Sequence, residues 1–148
     1  MKIYFGHSRG FDFKKELYEP IRESQLNGKH EIIFPHEDSK EATKEGNLGV
    51  EGESISSSLP LNSKELLRTC DLMIAEVSSP ATGLGIELGW ADNLGVPIIC
   101  VFKTGAQISG SLKAVTNNFV EYSDEQELID NLEKTIESIK NIEPSEEG

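Results

Sequence analysis

Five short apolar runs recur along the chain at intervals: "KIYF" (2–5), "EIIFP" (31–35), "DLMIAEV" (71–77), "PIICVF" (97–102) and "FVEY" (119–122). Runs this continuously apolar are strands buried on both faces, and the stretches between them carry helical spacing. That alternation demands a parallel sheet with helices packed on both sides. Phe13, Leu17 and Ile21 recur every four residues, with Pro20 kinking or shortening their helix. Leu59 to Cys70 carries Leu66 and Leu67 on one side, and Ile86 to Leu94 forms a helix behind Gly83 and Gly85. Gly95-Val96-Pro97 stops that helix, and Leu128, Leu132, Ile136 and Ile139 mark the last one.

A chain of 148 residues is one domain with a single core. No internal repeat is visible. The net charge of −12 argues against a nucleic acid polymer as partner, because phosphate backbones are bound by basic surfaces. From Glu121 to Gly148 ten acidic residues face two basic ones, which puts −8 of that charge in the last helix and an acidic tail (141–148). A small anionic substrate is compatible with the rest. Cys70 and Cys100 sit in apolar segments, as buried thiols of a reducing compartment do. With no signal peptide and no apolar run of the roughly 20 residues that a membrane span needs, a cytoplasmic protein is expected.

In an open α/β sheet, ligands bind beyond the carboxyl ends of the strands. The segments there are "GHSRG" (6–10), "HED" (36–38), "SSPATG" (78–83) leading to Glu87, and "KTGAQISGS" (103–111). Gly6, His7, Ser8, Arg9 and Gly10 offer backbone N–H groups, a hydroxyl and a fork-shaped cation, which suits either a phosphate or a plain strand-to-helix turn. The polar segment 36–58 is too long for an ordinary connection and reads as a mobile loop over the site or an insertion without a role. Gly83, Gly85 and Gly89 are spaced G-x-G-x-x-x-G, which is not the dinucleotide fingerprint, and no metal-ligand spacing occurs. Neither a cofactor nor a metal is therefore expected.

Glu87 is the one charged residue between Leu84 and Trp90. An acid in the first turn of a helix gains up to about 1 kcal/mol from the macrodipole. A carboxylate among apolar and small residues also suits a nucleophile that meets a developing oxocarbenium charge at an anomeric carbon. Both roles fit the residues taken alone.

The run "CDLMIAEVSSPATGLGIELGWADNLGVPIICVFK" (70–103) resembles the nucleoside 2-deoxyribosyltransferase superfamily, especially its 2-deoxynucleoside 5′-phosphate N-hydrolase branch. The opening "MKIYFGHSRG", the strand-ending "FPHE" and the element order match too, so the likeness spans residues 1–122. It implies that Glu87 attacks the deoxyribose C1′, releases the base and passes the sugar to water or to another base. It further implies that Gly6, Arg9 and Gly10 surround the 5′ phosphate, with His7 and Ser8 at the family's serine, and that His36 lies near the sugar. The family's hydroxyl after the proline falls on Ala81, with Ser79 and Thr82 beside it, in the loop that Gly83 and Gly85 continue. Ser109 and Ser111 fall where the family sends a serine into a partner subunit, which implies a homodimer or higher homo-oligomer.

One departure concerns the acid that assists base departure, because Ser63 stands in its place. His36, Glu37 or Asp38 takes over that role, or the base leaves unprotonated, or the chain is a nucleotide-binding module without turnover. The expected architecture is a single flavodoxin-like, three-layer α/β domain over residues 1–140. Its five-stranded parallel sheet has the order 2-1-3-4-5.

Overall fold

A computed structural model of the chain describes residues 1–8, 14–35 and 63–147. The sheet holds five parallel strands in the order expected: β1 (Lys2–His7), β2 (Glu31–Ile33), β3 (Leu72–Glu76), β4 (Ile98–Lys103) and β5 (Phe119–Tyr122), arranged β2-β1-β3-β4-β5. Ile3 is opposite Ile32 on one side and Leu72 on the other, while Ala75 pairs with Cys100 and Cys100 with Phe119. All five residues of β3 are buried, as befits a central strand covered on both faces.

Side chains of a strand alternate between faces, and here each face has its own core. Ile3, Phe5, Leu72, Ile74, Ile99 and Val101 point to one side. They meet Ile21 of α1 (Glu19–Arg22), Leu26 of α2 (Gln25–Lys29) and Leu128, Leu132 and Ile136 of the last helix (Glu125–Glu147). Tyr4, Met73, Ala75, Ile98 and Cys100 point to the other side. There they meet Leu67 of α3 (helical over 63–68) and Leu84, Leu88 and Ala91 of α4 (Thr82–Leu94), so the last helix is α5. Both thiols are free and buried, Cys100 completely so.

Three local differences from the sequence reading have physical causes. The helix expected around Pro20 is two pieces: a π-helical turn (Lys14–Tyr18), then α1 with Pro20 in its first turn, where a missing N–H costs nothing. α4 begins at Thr82, four residues earlier than expected, so Gly83 and Gly85 lie inside it. Each glycine costs about 1 kcal/mol in a helix, but burying Leu84 and Leu88 returns roughly 1.5–3 kcal/mol apiece. Gly95 closes α4 at φ 78°, donating to the carbonyls of Ala91 and Asp92. Finally, α5 continues to Glu147, through residues read from sequence as a tail. Its start is capped reciprocally: Asp124 Oδ1 accepts from the Glu127 N–H, and Glu127 Oε1 accepts from the N–H and hydroxyl of Ser123.

Candidate active site

A cavity of about 360 Å³ opens at the carboxyl ends of β1 and β3, lined by His7, the 80–84 segment and Glu87. Glu87 is the sixth residue of α4, beyond its first turn, which holds no acidic residue. The free N–H groups of a helix start act over one turn only, so the macrodipole is not what stabilises this carboxylate. Side chains do that. Tyr4 donates its hydroxyl to Glu87 Oε2 at 2.8 Å, and the Ser63 hydroxyl lies within hydrogen-bonding reach of both groups.

These contacts oppose the effect of burial. Burial pushes the Glu87 carboxyl above its ordinary range, and the hydrogen bonds from Tyr4 and Ser63 pull it back towards the ionised form. Burial, followed by the charge of Glu87, pushes the Tyr4 phenol far up, so Tyr4 remains a donor. Gly6 completes the arrangement. A Cβ there would stand 3.0 Å from Leu84 Cδ1 and 3.1 Å from Glu87 Oε1, so a larger residue would need those side chains to give by a few tenths of an ångström.

His7 ends β1 with both ring nitrogens engaged: Nδ1 with the Ser8 carbonyl at 3.0 Å and Nε2 with the Tyr18 hydroxyl at 2.7 Å. Since the Ser8 carbonyl only accepts, Nδ1 carries a proton. The Ser8 N–H donates to the Glu76 carbonyl, and its hydroxyl accepts from the Ser79 N–H at 3.3 Å. Both partners lie in or beyond β3, so Ser8 stitches the loops after β1 and β3 together.

Of the residues singled out in the sequence, His7, Thr82, Gly83 and Glu87 line one cavity, with Gly6 against its carboxylate. Ser79, half-buried, is not among the residues that line the cavity, and Gly85 is exposed. Ser109 caps an exposed 3-10 turn (Gly110–Ala114) by accepting from the Ser111 N–H, and neither serine lines this cavity. Arg9, Gly10, His36, Glu37, Asp38 and the 36–58 loop lie outside the described residues. Among the described residues, no cluster of His, Cys, Asp or Glu could hold a metal ion.

Sequence reasoning missed Tyr4 and Glu76. Strand alternation carries the signal for the first, since Tyr4 and Gly6 share a face. For the second, the signal is a lone acid ending a wholly buried strand.

No family model matches the chain. A protein of Syntrophotalea carbinolica, provisionally named 2′-deoxynucleoside 5′-phosphate N-hydrolase 1, is 32% identical over 108 residues, 72% of this chain and 72% of its own length. The 5-hydroxymethyl-dUMP N-hydrolase of Mus musculus is 30% identical over 120 residues, 78% of this chain and 66% of its own. The solved 2-deoxyribosyltransferase of Bacillus psychrosaccharolyticus, 18% identical, superposes with a TM-score of 0.63 over 86% of this chain and 90% of that one, a likeness of fold. The chain therefore belongs to the nucleoside 2-deoxyribosyltransferase superfamily, enzymes of the N-glycosidic bond, on the side of its 2-deoxynucleoside 5′-phosphate N-hydrolases.

Proposed function

We propose that the chain cleaves or transfers the N-glycosidic bond of 2-deoxyribonucleosides or their 5′-monophosphates, with Glu87 as covalent nucleophile. The observation that carries this is a carboxylate in a cavity beyond the strand ends, hydrogen-bonded by Tyr4 and given space by Gly6. A Glu87 oxygen attacks C1′ while the C1′–N bond breaks, its electron pair leaving with the base. The resulting ester is then opened at C1′ by water, which loses a proton to solvent, or by a second base, and the carboxylate is regenerated. Arg9, Gly10 and the hydroxyls of Ser79 and Thr82 hold the phosphate or sugar. His36, Glu37 or Asp38 serves as the acid. The enzyme works in the cytoplasm as a homodimer or higher homo-oligomer, with Ser109 and Ser111 contributing across the interface. Ile86, 47% exposed on α4, is an apolar side chain for that interface to cover.

The test is a panel of deoxynucleosides and their 5′-monophosphates, incubated with and without free adenine and chromatographed for released and exchanged bases. Glu87→Gln, folded like the wild type, is expected to lose turnover by at least tenfold. Retention of more than a tenth of the activity would count against covalent catalysis. A second reading is supported by the resemblance, which sets Ser63 at the place of the family's acid, and by the pull of its hydroxyl on Glu87 and Tyr4. If nucleotides bind but even a deoxyribose with an activated leaving group does not react, the chain is a nucleotide-binding module.

A further inference from the structure

Glu76 is a fully buried carboxylate that the proposed reaction does not use. It ends β3 on the face of Leu72 and Ile74, where an apolar side chain would be the simpler core residue. Three donors converge on it instead. The Ser78 N–H reaches Oε1 at 2.9 Å, while the hydroxyls of Ser78 and Tyr122 reach Oε2 at 2.6 Å each. Ser78 Oγ in turn accepts from the Lys103 N–H at 2.9 Å, tying the same loop to β4.

We propose that Glu76 is a positioning residue for the Glu87 cavity: its carboxylate fixes the loop after β3, and with it the Pro80–Thr82 wall against which the substrate packs. Two directions of hydrogen bonding make this specific. From below, Tyr122 in β5 holds the carboxylate in one orientation. From above, both polar groups of Ser78 are aimed by it, and Ser79 then meets Ser8 beside His7. The two loops that frame the cavity thus depend on one side chain lying outside it. Burial and Glu76 both push the Tyr122 phenol up, so Tyr122 donates throughout the working pH range.

Glu76→Gln preserves shape but turns one oxygen into a donor. With the amide oxygen kept for the two hydroxyls, its NH₂ confronts the Ser78 N–H, and the loop loses its tether. Amide hydrogen exchange tests this directly on the unliganded protein. Ser78 and Ser79 are expected to exchange at least tenfold faster, with the amides of Ile99 and Val101 in β4 unchanged. Equal protection at Ser78 and Ser79 in both proteins would overturn the proposal.

The kinetic arm rests on the proposed reaction. On any deoxynucleotide the wild type cleaves, Glu76→Gln should raise KM about tenfold and change kcat less than threefold, because a displaced wall weakens ground and transition states alike. The acid limb of the pH profile should stay in place, since Tyr4 and Ser63 still hold Glu87. A fall in kcat at constant KM would mean only a smaller folded fraction and would sink the idea. Ser78→Ala, which leaves the Glu76–Tyr122 bond in the core, should show the same split at about threefold and serves if Glu76→Gln does not fold. A wild type without turnover would refute the reaction, and the exchange experiment would still decide the role of Glu76.

Discussion

Glu87 is held between two opposed influences, and each can be moved separately. Tyr4→Phe removes the hydrogen bond that lowers its pKa and leaves the burial that raises it. Because the nucleophile must be ionised, the rising limb of kcat/KM at low pH should move to higher pH, with activity at pH 6 falling several-fold more than at pH 8. A limb that does not move, or moves down, contradicts this account. Stability should carry the same sign. A carboxyl whose folded pKa lies above its unfolded value contributes stability below the unfolded pKa and loses it as pH rises through the folded one. Wild-type protein therefore bears a cost at neutral pH that Glu87→Gln lacks. The variant should melt higher than wild type at pH 7.5, and the gap should close near about pH 4. A Tm below wild type at pH 7.5 would show that burial is not the dominant influence on this residue.

At the scale of elements, the site is a close approach of β1 to α4. Gly6 and Tyr4 point out of one face of β1, one giving space to the Glu87 carboxylate and the other a hydrogen bond to it. Gly6→Ala would force its methyl against Leu84 and Glu87. Overpacking of this kind costs typically 1–3 kcal/mol. Activity should fall by at least tenfold, and thermal denaturation and turnover together check both effects. Unchanged activity would mean that the carboxylate has slack. This pairing also marks the limit of what the sequence reveals. The strand order comes with the family resemblance, whereas the places of the strands and the oddity of Glu87 are legible, because apolar runs and a charge among apolar residues are local patterns. The start of α4 is not, since local propensity argues against Gly83 and Gly85, and only the packing of Leu84 and Leu88 against the sheet overrides it. Nor is the Tyr4–Glu87 pair, whose members lie 83 residues apart and meet only once the sheet is assembled. Ser63 stands out in the sequence only through the family resemblance, and its influence on Glu87 emerges only from the fold.

The whole molecule contains two buried thiols at different depths, and together they can time its opening. Cys100 lies inside β4 with no exposure, its thiol pushed up to about 11 by burial. Cys70 follows α3 at 8% exposure, bonded to the Leu66 carbonyl, its thiol also pushed up by burial. Neither reacts well until water reaches it, because the thiolate is the reacting form. Cys70 should be alkylated first, at a rate set by fraying at the end of α3. Cys100 should follow at least tenfold more slowly, in a single phase matching global unfolding. Mass spectrometry of quenched time points reads both from one sample, and equal rates would show that the chain opens only as a unit. An unmodified protein thus has a built-in stopwatch with two hands. Any bound nucleotide that steadies the native state should slow the Cys100 hand, so a ligand could be found by counting alkyl groups before any reaction is known.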